Sequence, residues 1–192
     1  YKFITIVFFI FGICFLFKPI YFYSTGIVSQ YIIDYDWEKF KKTGTNNSNI
    51  FKIDVIGKII IPSVGIKQVI LDGTSQRILS FGPGRVKGSS TLESSNNNIT
   101  LAAHRDSFFQ KLEQISINDE IVIEHFNGQS MYKVLRIDIV NKSRLSTYDE
   151  LLSYVNSVNG NNINQTLTLF TCYPFQFIGS ASERFIVTAK KV

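Results

Sequence analysis

The sequence predicts an all-β domain, either a barrel or a sandwich, that follows an apolar N-terminal segment. From residue 53 onward, short runs rich in β-branched residues alternate with Gly, Pro and Asn, and few stretches show helical periodicity. Before residue 24 the chain is apolar and carries few charges. With 192 residues and 45% hydrophobic residues, the chain is long enough for one folded domain and too apolar to be disordered.

Residues 1–23 are predicted to form an N-terminal transmembrane helix. No charged residue occurs from Phe3 to Phe17, and apolar character resumes after Lys18 and Pro19. This uncharged run is short for a hydrocarbon core of about 30 Å, but Lys18 can snorkel and the aromatic residues after it suit a membrane interface. A cleaved signal peptide is the alternative, and the absence of a small-residue cleavage site disfavours it. Lysines lie on both sides of the apolar segment, so the charge distribution specifies its orientation in the membrane only weakly.

Residues 24–50 are predicted to be a juxtamembrane linker because the polar stretch "TGTNNSN" is rich in turn-forming residues, although Trp37 to Lys42 could be helical. Residues 51–192 form the predicted domain. Its first part, "IDVIGKIIIPSVGIKQVIL", predicts two strands broken at Pro62 and Gly65. The following "DGTSQRILSFGPG" predicts a short helix capped by Thr74.

Further strands follow along the chain. "NNNITLAAH" predicts a strand that ends at His104, and "RDSFFQKLEQI" predicts one short helix with Phe108, Leu112 and Ile115 on a shared face. Residues 119–140 predict a hairpin with a type I′ turn at Asn127-Gly128. "STYDELLSYVNS" predicts a helix capped at Ser146 or Thr147, and "TLTLFT" and "ERFIVTAKK" predict two last strands.

The charge of the chain argues against a nucleic-acid-binding protein. The net charge is +5, and the basic residues are spread along the chain without a dense block. An anionic membrane surface or wall polymer remains a possible partner.

The two cysteines cannot readily pair, because Cys14 lies in the apolar segment and Cys172 lies deep in the domain. Cys172 is therefore predicted to be a free thiol, which is either a reactive nucleophile or an inert apolar residue at the end of a strand. A reactive thiolate needs a nearby base, and the chain has two histidines. His104, at the end of a predicted strand, is the candidate, whereas His125 beside a hairpin turn is expected to be a surface residue. Arg184 begins the strand after Cys172 and would face the same cleft if the two strands are neighbours, where it could stabilise an oxyanion.

Taken together, these residues resemble the sortases of class D type. "TLFTC" matches the pattern T-L-x-T-C, "CYPF" and "FIGSASERFIV" resemble the surroundings of the family's cysteine and arginine, and "LAAHRDSFF" resembles its histidine segment. The resemblance runs from about Ile53 to Val192. Ala103 stands where many relatives have glycine, which is a mild departure.

The resemblance implies an eight-stranded β barrel and a membrane-anchored cysteine transpeptidase. It implies Cys172 as the nucleophile, His104 as acid and base, and Arg184 as the group that binds the substrate carbonyl or oxyanion. Thr171 and Tyr173 are expected to help bind substrate. The implied partners are surface proteins with an LPxTG-like sorting signal and an amine of peptidoglycan or of its lipid-linked precursor. The domain would then lie on the extracellular side of the cell membrane.

No cofactor or metal is expected. Some sortases respond to calcium, and Asp106, Glu113 and Glu120 are acidic, but they form no recognisable oxygen-ligand loop. L,D-transpeptidases would have glycine before the cysteine, papain-like proteases place the cysteine ahead of the histidine, and the residues show no zinc-ligand spacing. A non-catalytic wall-binding domain with a buried Cys172 is the alternative from another class.

Overall fold

The computed structural model describes residues 2–43, 53–94, 98–145, 147–158, 165–177 and 179–192. Its eight strands form a closed barrel in the order β1, β2, β3, β4, β7, β8, β6, β5. The strands are β1 (Val55–Ile61), β2 (Ile66–Asp72), β3 (Gly84–Arg85), β4 (Ile99–Ala102), β5 (Glu120–His125), β6 (Gly128–Asn141), β7 (Thr166–Tyr173) and β8 (Glu183–Lys191). The predicted eight-stranded barrel is confirmed.

Two of the strand pairs are parallel, namely β2 with β3 and β4 with β7, and the other pairs are antiparallel. The parallel pair of β4 and β7 joins segments that lie far apart in the sequence. It brings the residues after β4 beside the C-terminal end of β7.

The inward side chains of the barrel form the main core cluster, which includes Ile59, Leu101, Leu169 and Val187 at 0% exposure. A second, outer cluster lies under the helix α3 (Tyr148–Val158), where Leu151 and Val155 pack against Ile186 and Phe170. The sheet is therefore covered on both faces around β7 and β8. Burial on both faces accounts for the absence of charged residues from β7.

The helix α1 (Lys2–Thr43) covers another part of the barrel. Ile33 packs with Val69 and Leu71 of β2, and Gln30 hydrogen bonds to the main chain of Val69 and Phe81. The residues predicted as a linker over 24–50 are thus helical up to Thr43, and the rest of that segment lies outside the described residues. Within the described residues, no helix is both long enough and apolar enough to span a bilayer.

Polar contacts fix the C-terminal part of α1 on the barrel. The buried ammonium of Lys58 in β1 forms ion pairs with Asp34 and Glu38 of α1. Glu124 in β5 accepts hydrogen bonds from Trp37 Nε1 at 3.4 Å and from Lys41 Nζ at 2.9 Å. This part of the chain is therefore packed into the domain and is not a free connection.

Several local predictions are confirmed. The chain breaks at Pro62–Val64 between β1 and β2, and β8 spans the predicted residues. Thr147 caps α3, since its Oγ1 accepts from the Glu150 main-chain N–H and Glu150 Oε2 accepts from the Thr147 N–H. Ser146, the other predicted cap, lies outside the described residues.

Three local predictions are wrong in detail. The short helix α2 (Gln76–Leu79) is capped by Ser75 and not by Thr74, because the Ser75 side chain is the one that accepts from the Ile78 N–H. The helix predicted over 105–115 is a series of turns followed by a 3-10 helix at Gln110–Gln114. Its apolar residues Phe108, Leu112 and Ile115 nevertheless pack in the main core cluster.

The hairpin turn is also displaced by one residue. His125 pairs with Gly128, so Phe126 and Asn127 form the loop, and the positive φ of 138° falls on Gly128 alone. Asn127 does not adopt the left-handed conformation that a type I′ turn at Asn127-Gly128 requires.

Candidate active site

The alternation of side chains along β7 determines the direction of Cys172. Leu167 and Leu169 belong to the main core cluster, whereas Phe170 packs against the outer cluster. Because successive side chains of a strand point to opposite faces, Cys172 lies on the outward face together with Phe170. Its side chain is a free thiol with intermediate exposure. It is therefore on a face that a substrate can approach.

The register of β7 and β8 brings Arg184 beside this thiol. Cys172 and Arg184 are direct partners across the antiparallel pair, as are Phe170 and Ile186 one step further along the same face. Directly opposed Cβ atoms lie about 4.5–5.5 Å apart in such pairs. Arg184 Nη1 donates to the carbonyls of Ala181 at 3.3 Å and Glu183 at 2.9 Å. The guanidinium is thus oriented by the main chain just before β8.

His104 approaches from the other side of Cys172. Ala102 is the partner of Phe170 in the parallel pair of β4 and β7, and beyond β4 the Ala103 N–H donates to the Phe170 carbonyl at 3.3 Å. Ala103 belongs to the main core cluster. His104 follows directly, two residues beyond the end of β4, and its side chain is half-buried. The segment that carries His104 therefore runs beside the end of β7 that carries Cys172.

Cys172 and Arg184 are thus neighbours on one face, and the segment that carries His104 lies on the other side of β7. The strand order therefore places the three residues that the sequence predicts as catalytic on β7, on β8 and on the segment after β4. His125 lies elsewhere, since its strand β5 is separated from β7 by β6 and β8. Its Nε2 is 3.4 Å from Ser130 Oγ, and the ring is half-buried.

Thr171 and Tyr173, the predicted substrate-binding residues, are on the opposite face of β7 from Cys172. Thr171 is 2% exposed, and its Oγ1 donates to the Ala103 carbonyl at 2.7 Å. This bond ties the main chain just before His104 to the residue just before Cys172. Tyr173 is half-buried, and its ring packs against those of Phe175 and Phe185.

Arg105, the residue after His104, is not among the site residues that the sequence predicts. Arg105 is 9% exposed and donates hydrogen bonds to the carbonyls of Pro174, Phe177 and Gly179, at 2.8, 2.8 and 2.9 Å. Its guanidinium carbon also lies 5.7 Å from the Phe177 ring centroid. In the sequence, only its position immediately after a predicted strand-end histidine could have pointed to Arg105. Its partners in the loop after Cys172 could not be predicted from the sequence.

Chemically, the side chains of His104, Cys172 and Arg184 are the types that support nucleophilic catalysis by a thiolate. An imidazole beside a thiol can exchange a proton with it and with a leaving or entering amine. A guanidinium beside the thiol can donate hydrogen bonds to an oxygen that becomes negatively charged. Among the described residues, no group of three or more His, Cys, Asp or Glu residues is arranged to hold a metal ion.

Comparisons with known proteins point to one family. The family model described as the sortase domain matches residues 59–192. Sortase D of Bacillus subtilis (strain 168) is 28% identical over 136 residues, which cover 71% of this chain and 63% of that protein.

The solved structures give the same fold. Sortase A from Corynebacterium diphtheriae has a TM-score of 0.61 at 24% identity, covering 73% of this chain and 62% of that one. A Sortase D5 transpeptidase of Clostridium perfringens has a TM-score of 0.60 at 20% identity, covering 88% of this chain and 99% of that one. The chain thus spans less than two thirds of the length of the B. subtilis and C. diphtheriae proteins.

The chain therefore belongs to the sortase family, whose domain model matches residues 59–192. Two of the proteins to which it is similar, from B. subtilis and C. perfringens, are sortases of the D type that the sequence predicts.

Proposed function

We propose that this protein is a sortase transpeptidase in which Cys172 cleaves an LPxTG-like sorting signal after its threonine and transfers the acyl part to an amine. The observation that supports the proposal is the pairing of Cys172 with Arg184 across β7 and β8, with the segment that carries His104 on the other side of β7. A non-catalytic domain has no need for a thiol, an imidazole and a guanidinium on neighbouring segments.

In the first half of the reaction, Cys172 loses its proton to His104, and its sulfur attacks the carbonyl carbon of the substrate threonine. Arg184 donates hydrogen bonds to the carbonyl oxygen as that oxygen gains negative charge. The bond from this carbon to the following nitrogen then breaks. His104 gives its proton to the departing amine, and a thioester remains on Cys172.

In the second half, the entering amine gives a proton to His104 and attacks the thioester carbon. A new amide forms, the carbon–sulfur bond breaks, and Cys172 leaves as a thiolate. Hydrolysis follows the same path with water in place of the amine. The product of the second half, an amide or a free acid, therefore distinguishes transfer from hydrolysis. We propose an amine of peptidoglycan or of its lipid-linked precursor as the natural acceptor, and surface proteins with the sorting signal as donors.

We also propose that α1 anchors the protein in the cell membrane, with the barrel on the extracellular side, where such an acceptor is found. The uncharged run from Phe3 to Phe17 supports this proposal. Apolar side chains in this run are more than half exposed, among them Phe8, Phe11, Phe15 and Phe17. Flotation of the full chain with lipid vesicles tests it, and replacing Phe8 and Phe15 by Asp should abolish flotation. A chain that floats equally well with both aspartates would refute the anchor.

The reaction is tested by incubating the full chain in detergent micelles with LPxTG-like and LPxTA-like peptides, with and without an added amine. Intact mass should show an acyl adduct on Cys172 that the amine converts into a new amide. Cys172→Ala should form no adduct and keep the fold. No adduct with any peptide, together with a thiol that resists alkylation in the folded state, would instead indicate a wall-binding domain.

Arg184→Lys should lower the rate of adduct formation by about 10²- to 10³-fold, because an ammonium cannot reproduce the planar set of donors. Arg77→Met is the matched control, since Arg77 is an exposed residue of α2. An Arg184→Lys protein that acylates at the wild-type rate would refute the role proposed for Arg184.

A further inference from the structure

Arg105 is a buried cation whose hydrogen-bond acceptors all lie in one loop. Its Nη1 binds the Pro174 carbonyl, and its Nη2 binds the carbonyls of Phe177 and Gly179. Within the described residues it has no ion-pair partner, so main-chain carbonyls and the Phe177 ring supply its stabilisation. A planar guanidinium with donors in fixed directions suits three carbonyls of one loop, which a flexible ammonium does not.

This loop, described over 174–177 and 179–182, connects Cys172 to Arg184. Its far end holds Arg184, because the Ala181 carbonyl and the adjoining Glu183 carbonyl accept hydrogen bonds from Arg184 Nη1. Carbonyl groups at one end of the loop therefore bind Arg105, and carbonyl groups at the other end orient Arg184. The residue after His104 is in this way linked to the guanidinium on the opposite side of Cys172.

We propose that Arg105 is a positioning residue that fixes the loop between β7 and β8 and thereby sets the orientation of Arg184 beside Cys172. This inference rests on the proposed function, in which Arg184 binds the developing oxyanion. Arg105 itself faces the loop and contacts neither the thiol nor the imidazole in the described hydrogen bonds. Arg105 affects the reaction by holding the loop that orients Arg184. Replacing Arg105 should therefore have little further effect on the rate when Arg184 is absent.

A double-mutant cycle tests this dependence. The rate of acyl adduct formation on Cys172 is measured by intact mass for the full chain and for R105M, R184M and the double variant. We expect R105M to lower the rate by about 10- to 100-fold in the wild-type background and by less than about threefold in the R184M background. R105K should fall between wild type and R105M, since an ammonium reaches fewer carbonyls.

Hydrogen exchange provides a readout that does not depend on activity. The main-chain amides of residues 175–177 and 179–182 should exchange faster in R105M, whereas those of β1 and β2 should be unchanged. R77M should match wild type in both measurements.

Three results would overturn the inference. They are unchanged exchange of the loop in R105M, an acylation rate within twofold of wild type, and losses from R105M and R184M that simply multiply in the double variant. The last result would mean that Arg105 acts independently of Arg184, as a general stabiliser would. A wild-type chain that forms no acyl adduct would instead refute the proposed function, and with it the effect of Arg105 on the reaction.

Discussion

The ion pairs of Lys58 predict that removing its two carboxylate partners destabilises the fold more than removing the lysine itself. The side chain of Lys58 is 1% exposed beneath α1, and its Nζ lies 3.1 Å from Glu38 Oε1 and is also paired with Asp34. Burial by itself lowers the pKa of Lys58, but hydrogen bonds and charge from Asp34 and Glu38 outweigh it and hold that pKa above its ordinary value of 10.5. The buried ammonium is therefore charged at neutral pH and depends on both carboxylates.

The expected loss in the free energy of unfolding follows from the distance between the charges and from the burial of the ammonium. Two unit charges 3.1 Å apart attract by about 5 kcal/mol at an effective dielectric constant of 20, and desolvation offsets much of this attraction. Replacing both Asp34 by Asn and Glu38 by Gln leaves a buried cation without a counter-charge. We expect this to lower the free energy of unfolding by about 3–5 kcal/mol.

Removing the lysine instead should cost less. Lys58→Met removes the buried charge, and the Asp34 and Glu38 side chains that remain are 38% and 45% exposed, although Asp34 Oδ1 itself is buried. We expect a loss of about 1–2 kcal/mol, because water reaches most of the two carboxylates and does not reach the buried ammonium.

Urea unfolding of the full chain in detergent micelles measures both changes. Trp37, the one tryptophan of the chain, is 2% exposed at the contact between α1 and the barrel and reports on that contact by fluorescence. Far-ultraviolet circular dichroism follows the barrel. The reasoning would be refuted if both changes lowered the free energy of unfolding equally. It would also be refuted if the variant with Asp34→Asn and Glu38→Gln lost less than about 1 kcal/mol.

The pH dependence has a definite sign. Because the pKa of Lys58 is raised in the folded chain, its stabilisation is fully present below the ordinary value of 10.5 and is lost as the pH rises through the folded pKa. Lys58→Met should remove this alkaline loss.

Two further predictions concern the same contact. Burial raises the pKa of Glu124, but hydrogen bonds from Lys41 and Trp37 and nearby positive charge outweigh it, so the pKa lies below its ordinary value of 4.5. Glu124 should stabilise the fold by less than about 1 kcal/mol, and this stabilisation should be lost as the pH falls through the folded pKa. Glu124→Gln should therefore flatten the pH dependence of the free energy of unfolding in that range, and identical pH profiles for the two proteins would contradict this. Gly57→Ala should lower the free energy of unfolding in urea by about 1–3 kcal/mol, because the added Cβ would meet the Glu124 carbonyl oxygen and Leu92. The control is Gly12→Ala, whose added Cβ meets nothing within 4 Å. An unchanged midpoint for Gly57→Ala would contradict the close approach of the main chain.

Local signals in the sequence were sufficient for most of the strands. The β-branched run up to Ile61, the break at Pro62 and the last strand from Glu183 to Lys191 all lie where the pattern predicts them. Such patterns depend on neighbours a few residues apart, which the sequence displays directly. The same holds for the Thr147 cap, whose partner Glu150 is three residues away.

Local signals failed where tertiary contacts decide the backbone. The segment after His104 has helical spacing of apolar residues, yet Arg105 turns toward the loop after Cys172 and the chain follows with turns. Similarly, the polar stretch that begins at Thr43 suggested a linker over residues 24–50. The contacts of Asp34 and Glu38 with Lys58 hold the described part of that segment, which ends at Thr43, as a helix on the barrel.

The sequence by itself determined the chemical types present in the site, since a single domain cysteine, two histidines and an arginine at the start of a strand narrow the chemistry to a few classes. The sequence favoured His104 over His125, but only the tertiary structure shows that the segment after β4 lies beside the end of β7. That outcome depends on the parallel pairing of β4 and β7, beyond which Thr171 bonds to Ala103, 68 positions away. Pairing over such a separation is fixed by burial of the whole barrel and not by the propensities of either strand.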